Sequence, residues 1–224
     1  MLIDLSHTIE QGMITYKGLP PPVISDHLSR KDSRRYYEPG TEFHIGKIEM
    51  VANTGTYLDS PFHRYEDGID LARLDLHSLA NLEGVVVRAQ HSPQSSLRRA
   101  ITAQILEQVG VKGRAVLFHT GWDAHWRTDK YADGTHPFLT ADAAEYLADA
   151  GATLVGIDSY NIDDTADGRR PAHSILLAHG IPIVEHMCNM DQLPDAGFRF
   201  FAVPVKVKDF GTFPVRAFAL VPDE

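Results

Sequence analysis

Between residues 83 and 185 short apolar runs alternate with segments punctuated like helices, and this alternation restricts the fold more than any other feature of the chain. Residues 83–89 contain Val85, Val86 and Val87, which suit a buried strand. Residues 102–109 predict a short helix, with Thr102 as its cap and Gly110 as its stop. Residues 115–119 read as an apolar strand, and residues 140–150 as a helix between Thr140 and Gly151. Residues 153–157 read as a buried strand ending at Asp158. Residues 172–178 predict a helix closed by Gly180, and residues 182–185 a short strand. Both ends of the chain are strand-rich. Residues 2–5 and 42–52 suit strands, and residues 198–207 and 213–221 suit a hairpin around Lys208-Asp209-Phe210-Gly211. The pattern predicts one mixed α/β domain over residues 1–224, with a central sheet covered by helices on one side.

Bulk properties remove several classes of function. A net charge of −9 with scattered basic residues argues against nucleic acid as a partner. No apolar run has the length of a membrane span, and the N-terminal segment lacks the basic-then-apolar order of a secretory signal. The single cysteine, Cys188, leaves no intrachain disulfide and no cysteine-based zinc site, and it reads as a buried, inert thiol. A cytoplasmic protein is expected. Twelve histidines turn attention to metal or acid–base chemistry.

The segment Asn53-Thr54-Gly55-Thr56-Tyr57-Leu58-Asp59-Ser60-Pro61-Phe62-His63 concentrates that chemistry. Gly55 permits a tight turn and Pro61 ends strand pairing. Tyr57, Asp59, Pro61 and His63 share parity, so an extended backbone would set a carboxylate and an imidazole toward one cavity. A surface loop with a capping Asp and a solvated His would produce the same residues.

The segment resembles the signature of the cyclase family, which includes bacterial kynurenine formamidases and isatin hydrolases. That signature runs H-x-G-T-H-x-D-x-P-x-H, and Gly55, Thr56, Asp59, Pro61 and His63 match it. The similarity extends along most of the chain. Residues 4–9 resemble the family's opening strand, Leu117 to Trp122 its R-T-G-W segment with His119 at the Arg position, and Gly156 to Ser159 its G-x-D-[ST] strand end. The resemblance implies a swivelling β/β/α fold, a homodimer or homotetramer, and a small-molecule substrate. It also implies two divalent metals sharing the motif Asp. The first would take both motif histidines; the second would take a later His and a Glu twelve residues beyond it.

His173 and Glu185 have that spacing, so Asp59, His173 and Glu185 are the expected ligands of one zinc or manganese ion. Asn53 and Tyr57 stand where both first-metal histidines belong, so the first ion is expected to be absent or weak. His63 is expected to act as general acid–base, and Tyr57 to donate a hydrogen bond to the developing oxyanion. Tyr16, Asn53, Trp122 and Asp158 are expected to contact substrate, with Trp122 and Trp126 forming an apolar lid or core patch. The Asp163-Asp164 pair reads as solvated loop, and His179 and His186 as core or surface residues flanking the ligands. The expected activity is hydrolysis of the C–N bond of a small amide, of the arylformamidase or cyclic-amide kind. Two alternatives stand beside it: a metal-free or non-catalytic small-molecule binder, and a lyase or cyclase acting on a carbonyl substrate.

Overall fold

In the computed structural model, which describes residues 1–90 and 99–222, thirteen strands are described. In chain order they are β1 (Leu2–Asp4), β2 (Val23–Leu28), β3 (Ile45–Glu49), β4 (Tyr57–Asp59), β5 (Leu82–Arg88), β6 (Ala100–Ile101) and β7 (Arg114–His119). Then follow β8 (Phe138–Leu139), β9 (Leu154–Ile157), β10 (Ile183–Glu185), β11 (Ala196–Phe201), β12 (Thr212–Pro214) and β13 (Phe218–Leu220). The α-helices are α1 (Arg30–Ser33), α2 (Ala141–Asp149) and α3 (Pro171–Ala178). Among the described residues no helix is long and apolar enough to cross a membrane.

Nine strands form one mixed sheet in the order β1-β13-β11-β5-β7-β9-β10-β4-β12. The middle four, β5, β7, β9 and β10, are parallel, as the strand–helix alternation requires. The flanking pairs are antiparallel. Side-chain alternation divides the core in two. Val86, Leu117, Leu154 and Val184 join Phe198 and Phe200 on one face. Val85, Val87, Val116, Phe118, Val155 and Ile183 point the other way, under Ala143, Leu147, Leu176 and Leu177 of α2 and α3. Burying each such aliphatic side chain contributes about 1.5–3 kcal/mol, so both faces must be covered. Helices cover one. On the other the sheet curls on itself: past β1, Leu5 N–H donates to Ala217 and Ser6 bridges to Met187, while Val215 N–H donates to Thr56. The expected mixed α/β domain with helices on one side is what the chain forms.

Three expectations change. Residues 102–109 form only a 3-10 turn over Ala103–Leu106, with no side-chain cap from Thr102. The segment is too short to propagate an α-helix and carries the β-branched Ile105 and Val109; Asp142 from α2 satisfies the Ala103 N–H at 2.9 Å instead. The C-terminal hairpin is not tight. β11 does pair with β13, Arg199 opposite Leu220, but the intervening chain crosses to the far edge of the sheet, where β12 pairs with β4. The long strand expected over residues 42–52 is the shorter β3, paired with β2 in a ribbon whose residues are nearly all exposed.

Candidate active site

β4 is the floor of the site. Its register sets Asp59 opposite Ile183 and Tyr57 opposite Glu185 on β10, and Asp59 opposite Thr212 on β12. Tyr57 and Asp59 therefore share the helix-side face while Leu58 enters the opposite core. Gly55, just before the strand, turns at φ +68° with the Ile9 side chain 3.0 Å from where a Cβ would lie. The shared parity stops at Pro61, because Pro61–His63 is a 3-10 turn. His63 reaches the site through that turn, and through Thr212.

Thr212 was not legible in the sequence. Its hydroxyl donates a short hydrogen bond to Asp59 Oδ1 and lies 2.8 Å from His63 Nδ1. The hydroxyl has one proton, and Asp59 takes it. His63 Nδ1 must then be the donor to Thr212, so that in the neutral imidazole Nε2 is the bare nitrogen of a partly exposed ring. Asp59 is fully buried, and among the described residues its Oδ2 has no hydrogen-bond partner.

His173, in the first turn of α3, faces that oxygen, with Nε2 3.7 Å from Asp59 Oδ2 and 3.8 Å from Glu185 Oε1. Its Nδ1 lies 2.6 Å from Asp163 Oδ2. Asp163 is no solvated loop residue. It is buried, and it also accepts the Ala172 N–H at 2.6 Å and the His173 N–H at 3.1 Å. It holds the start of the helix and the imidazole together, an orientation task that sequence spacing does not reveal.

Glu185, buried at the end of β10, is already engaged: the Ile162 N–H donates to Oε1 at 2.6 Å and the Tyr57 hydroxyl to Oε2 at 2.7 Å. Tyr57, expected to serve an oxyanion, has its only proton committed to Glu185 and is 1% exposed. Behind it, His186 Nε2 lies 3.3 Å from the Tyr57 hydroxyl and His186 Nδ1 2.8 Å from the Tyr131 hydroxyl. With the Tyr57 proton given to Glu185, His186 Nε2–H donates to the Tyr57 oxygen, and in a neutral ring Nδ1 accepts from the Tyr131 hydroxyl, which also faces Ser159 O at 3.4 Å. Burial holds the His186 pKa down at about 3, which agrees with a neutral ring.

Electrostatics follow the burial. At Asp59 burial favours the neutral acid, but His63 and His173 reverse this and hold the carboxyl below its usual range. At Glu185 burial, with Asp59 adding to it, keeps the carboxyl raised despite His173. Burial opposes charge on His173, yet Glu185, Asp163 and Asp59 outweigh it and hold the pKa at about 10. A cation entering this position must displace that proton.

The donor set fits a metal ion. Asp59, His63 and His173 each bring a ligand atom within 4.8 Å of the others, and the partnerless buried Asp59 oxygen is what an ion would satisfy. The outer nitrogen of His173 is held by the Asp163 carboxylate, as that of a metal-binding histidine usually is. The expected trio was Asp59, His173 and Glu185; the compact one has His63 in the place of Glu185, whose oxygens serve Ile162 and Tyr57.

Asn53, Tyr57, His63, His173 and Glu185 line one pocket of about 300 Å³, together with Tyr16, Leu19, Arg64, Asn161 and Arg170. Trp122 and Asp158 lie elsewhere. Trp122 donates from Nε1 to Tyr131 O at 3.0 Å and packs under Lys130. Trp126 stacks on His7, ring centroids 3.9 Å apart. Asp158 is buried and receives the Thr120 hydroxyl at 2.5 Å and the Thr120 and Gly121 N–H groups at 2.8 Å, which fixes the turn after β7. Burial pushes its carboxyl up to about 7. His119 is buried against Arg88 and Gln90, at 2.8 and 3.0 Å. Cys188 is buried, which pushes its thiol up to about 12. His179 is exposed on the surface, its Nδ1 2.8 Å from Ile175 O.

Comparison with known proteins identifies relatives of the whole chain. Kynurenine formamidase from Bacillus cytotoxicus is 29% identical over 216 residues, covering 96% of this chain and 95% of that protein. The enzyme of the same name from Bacillus mycoides is equally similar over the same span. An isatin hydrolase bound to the product analogue thioisatinate superposes with a TM-score of 0.81 at 23% identity, over 99% of this chain and 92% of that one. A potential metal-dependent hydrolase with cyclase activity gives 0.79 at 24% identity, over 100% and 99%. The sequence profile described as "Putative cyclase" matches residues 3–164, and the chain belongs to the Cyclase family.

Proposed function

We propose that this protein is a metal-dependent hydrolase that cleaves the C–N bond of a small amide, of the arylformamidase or cyclic-amide kind. The observation that carries the reading is the buried, partnerless Asp59 Oδ2 facing His173 Nε2, with the bare His63 Nε2 on the same pocket. The kynurenine formamidases matched over nearly the whole chain supply the reaction class. Asp59 and His173 would hold the ion, with His63 beside them; nitrogen and carboxylate donors suit zinc or manganese. Such an ion, when bound, supplies a Lewis acid that polarises a carbonyl and acidifies water.

The chain's own residues account for the proton movements. His63 Nε2 accepts a proton from water as the water oxygen bonds to the amide carbon, and Thr212, tied to Asp59, steadies the ring through Nδ1. The C–N bond then breaks, and His63 returns the proton to the departing nitrogen, leaving acid and amine. Asp163 keeps His173 oriented. Tyr57 fixes Glu185 rather than touching substrate. Its side chain and His186 fill the region beside Asp59, which supports one ion per chain.

Elemental analysis of protein purified without chelator, paired with a panel of N-formyl aromatic amines, lactams and esters, tests the reading. One bound transition metal and formamide or lactam turnover are expected. No metal, and no turnover after metal loading, would overturn it in favour of a non-catalytic binder; dehydration of a carbonyl substrate would mark a lyase. A cytoplasmic homo-oligomer belongs to the same reading. The assembly is supported by the β2–β3 ribbon, which exposes Val23, Ile24, Ile45 and Ile48, and is checked by light scattering.

A further inference from the structure

The pocket holds a cation that the hydrolysis described above does not use. Arg170, three residues before His173, lines the same cavity as His63 and His173. Among the described residues its hydrogen-bond partners are neutral and distant: Nη1 lies 3.4 Å from Asn161 Oδ1 and 3.5 Å from Asp164 O, and Nη2 3.4 Å from the Tyr16 hydroxyl. Those are the outer limits of hydrogen bonding.

The surrounding carboxylates are committed elsewhere. Asp163 is bound to His173 and the start of α3, Asp164 pairs with Arg99 at 3.0 Å, and Asp167 pairs with Arg169 at 2.8 Å. Among the described residues no ion pair reaches Arg170, in a chain that carries nine more negative than positive charges. The backbone adds a second observation. Arg170 has φ +50° and ψ +61°, a conformation rare for a large side chain and found where position matters. Asn161 is itself held, its Oδ1 accepting the Asp163 N–H at 3.0 Å, and Tyr16 stacks on Tyr160 with centroids 4.8 Å apart. A half-buried guanidinium thus stands among fixed neutral groups, on the wall of a cavity with room for one small molecule. Arg64, also without a carboxylate partner among the described residues, adds positive charge at the mouth.

We infer that Arg170 binds a carboxylate carried by the substrate, so that the preferred substrates are small amides bearing a free acid. The inference rests on the hydrolase reading for the word substrate; the anion site itself rests on the pocket. A planar fork with free N–H groups matches a carboxylate in two parallel hydrogen bonds, and Asn161 and Tyr16 keep the fork facing the cavity.

The test compares N-formylanthranilate with its methyl ester, on metal-loaded wild type, Arg170→Gln and Arg170→Lys. Wild type is expected to favour the acid about 10- to 100-fold in kcat/KM, chiefly through KM, as one charge-assisted pair allows. Arg170→Gln should erase that preference, and Arg170→Lys should keep part of it. Equal turnover of acid and ester by wild type, or an equal loss on both in Arg170→Gln, overturns the inference. If neither compound is hydrolysed, the amide-hydrolase reading fails separately, and calorimetry with anthranilate against aniline still decides the site. Anthranilate binding that weakens at least tenfold in Arg170→Gln supports it; equal binding overturns it.

Discussion

Asp163→Asn changes one atom, and its cost can be worked from three hydrogen bonds. The carboxylate accepts the Ala172 N–H at 2.6 Å on one oxygen, and the His173 N–H and Nδ1 at 3.1 and 2.6 Å on the other. An amide keeps one acceptor oxygen and turns the other into a donor facing a donor. In the better orientation the two His173 bonds survive but lose their charge assistance, at about 1 kcal/mol each, and the Ala172 N–H is left buried without a partner, at about 1–3 kcal/mol. The expected loss is about 4 kcal/mol, a large share of the stability of a typical domain. Urea unfolding with chelator present reads this without a contribution from bound metal. The same change should weaken metal affinity about 10- to 100-fold, because His173 loses the carboxylate that orients it; competition against a chromophoric chelator measures that. A loss below about 1 kcal/mol together with unchanged metal affinity would refute the assignment of Asp163 as the residue that positions His173.

Three further outcomes are expected. Tyr57→Phe removes the proton given to Glu185 Oε2 and the oxygen facing His186, and should destabilise the fold by about 3 kcal/mol in urea unfolding; a change near zero would dissolve the proposed chain of donors. His7, stacked on Trp126, has its pKa lowered by burial to about 4, against about 6.5 when unfolded. It takes up a proton only on unfolding between those values, so its contribution is present above pH 6.5 and is lost as pH falls toward 4. His7→Gln should therefore make the fall in stability over that window shallower by about 1.4 kcal/mol per pH unit, and parallel curves would contradict this. Gly84 lies opposite Phe198, whose ring would stand 1.9 Å from an added Cβ. Gly84→Ala should cost about 3 kcal/mol through displacement of that ring, read as a lower midpoint of thermal or urea unfolding.

The strand–helix alternation from residue 83 to 185 was legible because its cause is local. Apolar runs between glycines and caps become β5, β7, β9 and β10 with α2 and α3 beside them. The motif ending at His63, with His173 and Glu185 downstream, was legible because His63 and His173 do face Asp59, and Glu185 faces His173. The failures share a different cause. Residues 213–221 read as one strand of a hairpin because they are largely apolar, and nothing in their own pattern says that residues 212–214 pair with β4 at the far edge of the sheet. Only that pairing brings Thr212 to Asp59 and His63.

Asp163 looked solvated because a buried carboxylate shows itself through its partners, and those lie on α3. Trp122 and Asp158 looked like pocket residues because strand ends often meet ligands, whereas here they hold the turn and loop after β7. By itself the sequence determined the fold class and the residues able to do chemistry, since periodicity, caps and side-chain type act over a few residues. The tertiary structure alone decided which of those residues share a proton, which are already satisfied, and that Arg170 stands beside them without an ion pair among the described residues, because hydrogen-bond partnership depends on distances the chain sets only after it has closed on itself.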